Sequence, residues 1–77
     1  MNLILQWQSD DGYWYIVDDK TYDKIDALME GGTYEKYNEI CEILETVSEE
    51  SKFFTQHGVT ENVDLKNVKR IKTMFMM

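Results

Sequence analysis

The sequence predicts a small α+β domain, ordered β-β-α-α-β, in which a hairpin is followed by two or three helices and a C-terminal strand. Three observations predict it. Residues 2–8 and 13–17 are rich in β-branched and aromatic types and are split by Ser9, Asp10, Asp11 and Gly12. Residues 34–47 repeat apolar side chains at helical spacing, and the tail from Val63 alternates in a manner that suits a strand. A hairpin alone is marginal in water, so the expected unit is a three-stranded antiparallel sheet with the helices packed on one face. The whole chain, 1–77, reads as a single domain, with no repeat, low-complexity stretch or linker.

The hairpin is the first element. Asp11-Gly12 supplies the positive φ of a tight turn, so the loop is expected to be those two residues or all four from Ser9 to Gly12. Both registers have the same parity and put the same side chains together. Leu3, Leu5, Trp7, Trp14 and Ile16 share one face, and Ile4, Gln6, Gln8, Tyr13, Tyr15 and Val17 share the other. The first set is the expected core, which leaves Tyr13 and Tyr15 toward solvent.

Asp18, Asp19 and Thr21 offer N-caps for a short helix with Tyr22, Ile25 and Leu28 or Met29 on one side. Gly31-Gly32 ends that helix, because a left-handed C-cap favours glycine. Thr33 caps a longer helix whose apolar arc is Tyr34, Tyr37, Ile40, Cys41, Leu44 and Val47, with Glu35, Glu39, Glu42, Glu45 and Glu49 on the opposite arc. Beyond Val47 the arc would take in Ser48 and Ser51, so a break is expected there. Ser48 would cap a further short turn or helix through Phe53-Phe54, stopped by His57-Gly58. The tail suits a helix less well than a strand with Val68, Arg70, Lys72 and Met74 on one side and Lys69, Ile71, Thr73 and Phe75 on the other.

Composition bounds the function. Val, Ile, Leu and Phe number 19 of 77 residues, enough for a folded chain despite the charge. A chain this short has little room for a core plus a walled pocket, so an enzyme is not expected. One cysteine makes neither an internal disulfide nor a zinc site. There is no charged-then-apolar leader and no 18-residue apolar run, which points to a soluble, cytoplasmic protein without membrane contact.

The individual chemical groups read blandly. His57 before Gly58 suits a helix cap, and Cys41 on an apolar helix face behaves as a small hydrophobe with no base near it in sequence. The pairs Asp10-Asp11 and Asp18-Asp19 fall at opposite ends of the hairpin and cannot converge on a metal. Gly31-Gly32 lacks the glycines and lysine of a phosphate loop. No catalytic residue, metal or cofactor is expected.

The net charge of −7 is unevenly spread. Residues 21–50 carry nine acids against Lys24 and Lys36, while residues 65–77 carry Lys66, Lys69, Arg70 and Lys72 with no acid. The basic tail is expected to lie beside acidic helices or the Asp-rich hairpin end. On a helix, carboxylates three or four residues apart stand roughly 5 Å apart along the axis and repel, by a few tenths of a kcal/mol per pair. Presenting such a row to a basic groove, as a nucleic-acid backbone does, is one use for that cost. A merely solubilising face is the other reading. Tyr13 and Tyr15 beside Gln6 and Gln8 have the composition of a protein interface, or simply support the strands.

The expected function is therefore binding of a larger protein, most specifically inhibition by occupying a basic, nucleic-acid-binding groove with Glu35, Glu39, Glu42, Glu45 and Glu49. In size, acidity and lack of catalytic groups the chain resembles small phage-encoded inhibitors of host defence enzymes, anti-CRISPR proteins among them, a likeness of composition. Such an inhibitor would work in the host cytoplasm. The alternative is a structural or assembly module, a homodimer joined through a sheet edge, the tyrosine face or the Met-rich end at Met74, Phe75, Met76 and Met77. Direct nucleic-acid binding through the tail is disfavoured, because a chain of net −7 is repelled by that polymer.

Overall fold

A computed structural model describes residues 1–8 and 11–76, with the side chains of residues 1–5 and 12–73. The strands are β1 (Asn2–Gln8), β2 (Asp11–Val17), β3 (Lys52–Phe53) and β4 (Arg70–Met76), and the helices are α1 (Asp19–Gly31), α2 (Tyr34–Glu45) and α3 (Gln56–Asn62). Short 3₁₀ turns at Glu49–Ser51 and Leu65–Asn67 precede β3 and β4. The sheet order is β3-β2-β1-β4. β1 pairs antiparallel with β2, β2 pairs antiparallel with β3, and β1 pairs parallel with β4. The architecture is α+β as the sequence predicts, but the sheet is mixed and four-stranded, not antiparallel and three-stranded.

The caps of α1 and the N-cap of α2 form where the sequence places them, whereas Ser48 precedes its 3₁₀ turn without a side-chain cap bond. The Asp18 carboxylate accepts from the Thr21 amide at 2.7 Å, and Thr33 Oγ1 accepts from the Lys36 amide at 3.3 Å. Gly32 adopts φ +63° and its amide bonds the Met29 carbonyl, which closes α1. The break after α2 is also found, with Thr46 as the C-cap.

Hairpin parity is as expected, but the ladder runs on to Gln8↔Asp11, so Asp11 and Gly12 belong to β2 and not to the turn. Ser9, Asp10 and Met77 lie outside the described residues.

The helices pack on the face opposite the expected one, although Leu3 of the expected set is also fully buried. Helices α1 and α2 cover the side bearing Ile4, Tyr15 and Val17, which form the main core with Tyr22, Ile25, Ile40 and Leu44. Leu5, Trp14 and Ile16 on the opposite side are half-buried; the side chain of Trp7, expected there too, is not among those described. Both faces of this hairpin are apolar enough to be a core, so counting apolar groups does not choose between them. Arg70 and Lys72 of β4 share the Ile4 side by register and meet the aspartates of α1 there.

The far side is covered in part by the chain returning from β3 to β4. Leu3 and Val59 are both fully buried outside the main cluster, and Ile16 and Phe53 share a cleft with Asn62, Val63 and Asp64. Two further expectations fall in this return. Lys52–Phe53 is a strand, and His57-Gly58 does not stop a helix but lies in the first turn of α3, which Thr55 caps through the Gly58 amide at 3.1 Å. Phe53 pairs with Trp14 in the sheet, while Phe54, just beyond the strand, packs on Tyr13.

Candidate protein-binding surface

Helix α2 buries Ile40 and Leu44 completely and half-buries Tyr37, Cys41 and Ile43, so its acidic arc must face outward. Glu35, Glu39, Glu42, Glu45 and Glu49 are all exposed. Glu49 is not on the helix, as the periodicity predicts, but in the 3₁₀ turn beyond it, where its carboxylate meets Lys52 at 3.4 Å. Tyr34, assigned to the apolar arc, is 76% exposed because it precedes the stretch that reaches the sheet.

The basic tail leaves these glutamates uncompensated. Arg70 lies 2.8 Å from Asp23 and 3.6 Å from Asp19, and Lys72 pairs with Asp26, all on α1. The expected offset of tail against acidic helix is therefore present, but it is spent on α1. Among the described residues, no ion pair within 4 Å reaches Glu35, Glu39, Glu42 or Glu45. Glu39 and Glu42 do share an open groove of about 590 Å³ with Lys20 and Lys24, the cations on the other flank of α1. Two glutamates thus face a facing pair of lysines, and Glu35 and Glu45 face solvent.

Tyr13 and Tyr15 separate. Tyr13 is 37% exposed and packs edge-on to Phe54, with ring centroids 5.3 Å apart; Phe54 is itself 56% exposed. Tyr15 is 8% exposed and belongs to the core, so it is not a surface contact. Burial first, then the neighbouring Tyr13, Cys41, Glu49 and Glu45, pushes its phenol up from the ordinary value. The aromatic surface is therefore Tyr13 with Phe54. Reading Phe53-Phe54 as a short turn or helix hid that partner, since Phe53 is in a strand.

Burial, then Glu45 and Glu42, pushes the Cys41 thiol up, away from nucleophilic reactivity. His57 is exposed and pairs with Glu61 one turn on at 2.9 Å, a surface contact within α3. Among the described residues, no three His, Cys, Asp or Glu side chains gather as a metal site requires, and no helix is long and apolar enough to cross a membrane. No family model, curated protein or solved structure matches the chain.

Proposed function

We propose that this protein binds a larger protein through the acidic face of α2, occupying a basic surface of the kind that holds nucleic acid, and so acts as a stoichiometric inhibitor. The observation that carries this reading is the division of charge. Every basic residue of β4 is matched by aspartates of α1, while Glu35, Glu39, Glu42 and Glu45 stay exposed and outside any ion pair among the described residues. A helix selected for stability alone would intersperse lysine among these positions. The phage-encoded, anti-CRISPR type of inhibitor, acting in a host cytoplasm, is the most specific form of the proposal.

Pull-down from lysate at low and high salt tests it. A captured protein with a basic groove, lost at high salt and lost with Glu35→Lys combined with Glu45→Lys, supports the charge mechanism. Capture that is indifferent to salt and to both reversals overturns it.

The second reading is an assembly module. What favours it is the position of β4 at the sheet edge, together with Ile71 at 57% exposure. Light scattering across a dilution series separates the two readings, since an inhibitor of this kind can work as a monomer and an assembly module cannot.

A further inference from the structure

We infer, on the footing of the binding proposed for α2, that Tyr13 and Phe54 extend its acidic face and receive an arginine side chain of the basic partner on their rings. Both side chains are exposed, and their rings meet edge to face at 5.3 Å. Single exposed apolar groups are ordinary on a protein surface, but here two aromatic rings adjoin. Edge-to-face contact leaves each ring at least one face that the other does not cover.

The acidic end of α2 lies beside this pair, and Tyr15 links the two. Its ring centroid is 6.3 Å from that of Tyr13, and Lys52, which meets Glu49, stands opposite it in the sheet. Its phenol is pushed up by burial and then by Tyr13, Cys41, Glu49 and Glu45, so the aromatic and acidic groups surround one point. Between Tyr37 and Ser51 the chain carries five acids and no base. Lys52 answers Glu49 alone, and among the described residues no ion pair within 4 Å reaches Glu45. This excess of negative charge fits a cationic occupant.

The rings decide which cation. A guanidinium is planar and weakly hydrated, so it stacks on an aromatic face while its edge meets a carboxylate. An ammonium has no such plane. The chain holds its own Arg70 in this manner, against the Tyr22 ring and Asp23.

Fluorescence anisotropy of dye-labelled nona-arginine and nona-lysine, each titrated with the full chain at low salt, tests the inference. The two probes carry the same charge, so the acidic face alone holds both. Nona-arginine is expected to bind about fivefold tighter. Phe54→Leu should bring the two affinities together by weakening nona-arginine only, and Tyr13→Leu should act in the same direction. Phe54 is exposed, so circular dichroism should show its variant folded. Equal binding of the two probes by the wild type, or an arginine preference that survives Phe54→Leu, overturns the aromatic site and leaves binding through α2 standing. Binding of neither probe overturns both, since a face that stands in for a nucleic-acid backbone must hold a polycation at low salt.

Discussion

The Arg70 guanidinium sits 4.4 Å above the centre of the Tyr22 ring while one of its nitrogens lies 2.8 Å from Asp23. A planar cation fits both partners at once, stacking on the ring face and pointing its edge at the carboxylate. Lysine lacks the plane. Arg70→Lys is therefore expected to lower the thermal midpoint nearly as much as Arg70→Met. A double-mutant cycle with Tyr22→Leu should show positive coupling between the two sites. A Lys variant melting with the wild type would remove the stacking contribution.

Acid weakens the fold through the start of α1. Hydrogen bonds from Thr21 hold the Asp18 carboxyl below its ordinary value of 3.8, and the Asn2 side-chain amide, which donates to Asp19, does the same there. Both groups take up protons more readily when unfolded. Their stabilisation is thus complete well above pH 3.8 and is lost as the pH falls through and below that value. Urea melts from pH 7 to pH 2.5 should show a falling midpoint. The gap between wild type and Asp19→Asn should close at the acid end.

Ile25 and Ile40 are wholly buried where α1, α2 and the sheet meet. Truncating either to alanine should cost about 2–5 kcal/mol. A 77-residue domain has a total stability of roughly 4–12 kcal/mol at typical values per residue, so either truncation removes a large share of it and should lower the thermal midpoint by about 8 °C or more, read by circular dichroism.

Glu45 occupies the last turn of α2, where the helix dipole is negative and no basic residue stands. Glu45→Lys should stabilise the protein by about 0.3–1 kcal/mol in chemical denaturation. Glu39→Lys should bring less, because it places a cation in the groove lined by Lys20 and Lys24. Equal gains from the two would deny that the groove distinguishes them.

The two adjacent glycines should respond in opposite ways. Gly32 has φ +63°, so Gly32→Ala should cost about 1–2 kcal/mol although nothing crowds the added methyl. At Gly31 the methyl would meet only the end of the flexible Lys36 side chain, which can swing aside. Gly31→Ala should be neutral or stabilising by about 0.4–1 kcal/mol. Thermal melts of the pair check both values.

The local signals were legible in the sequence. Asp18, Thr33 and Gly32 act as caps because side-chain oxygens and a left-handed glycine are local chemistry, readable without tertiary context. The acidic arc of α2 was legible for the same reason. Two local signals misled, Asp11-Gly12, which lies in β2, and His57-Gly58, which lies in the first turn of α3; the other failures were non-local. The core face is defined by packing of Ile4, Tyr15 and Val17 on Tyr22, Ile25, Ile40 and Leu44, contacts that the hairpin's own pattern does not report. The assignment of β4 as antiparallel failed because strand direction is set by the path of the returning chain, which alternation does not report. Tyr15 was misplaced by the same inversion, since its position on the hairpin was right and only the side facing α1 and α2 was not.

The pairing of β1 with β4 ties residues 68 positions apart, Asn2 to Arg70. The hairpin and the two capped helices need only nearby partners and are free to form early. The fourth strand cannot add until residues 70–76 have been made and the chain has crossed the sheet. Its closure carries the largest loop entropy in the fold, and sheets completed by distant pairs assemble slowly. Until that moment β1 has one side unpaired, so a chain still on the ribosome displays a bare central strand. The vulnerable interval in the life of this protein is its synthesis.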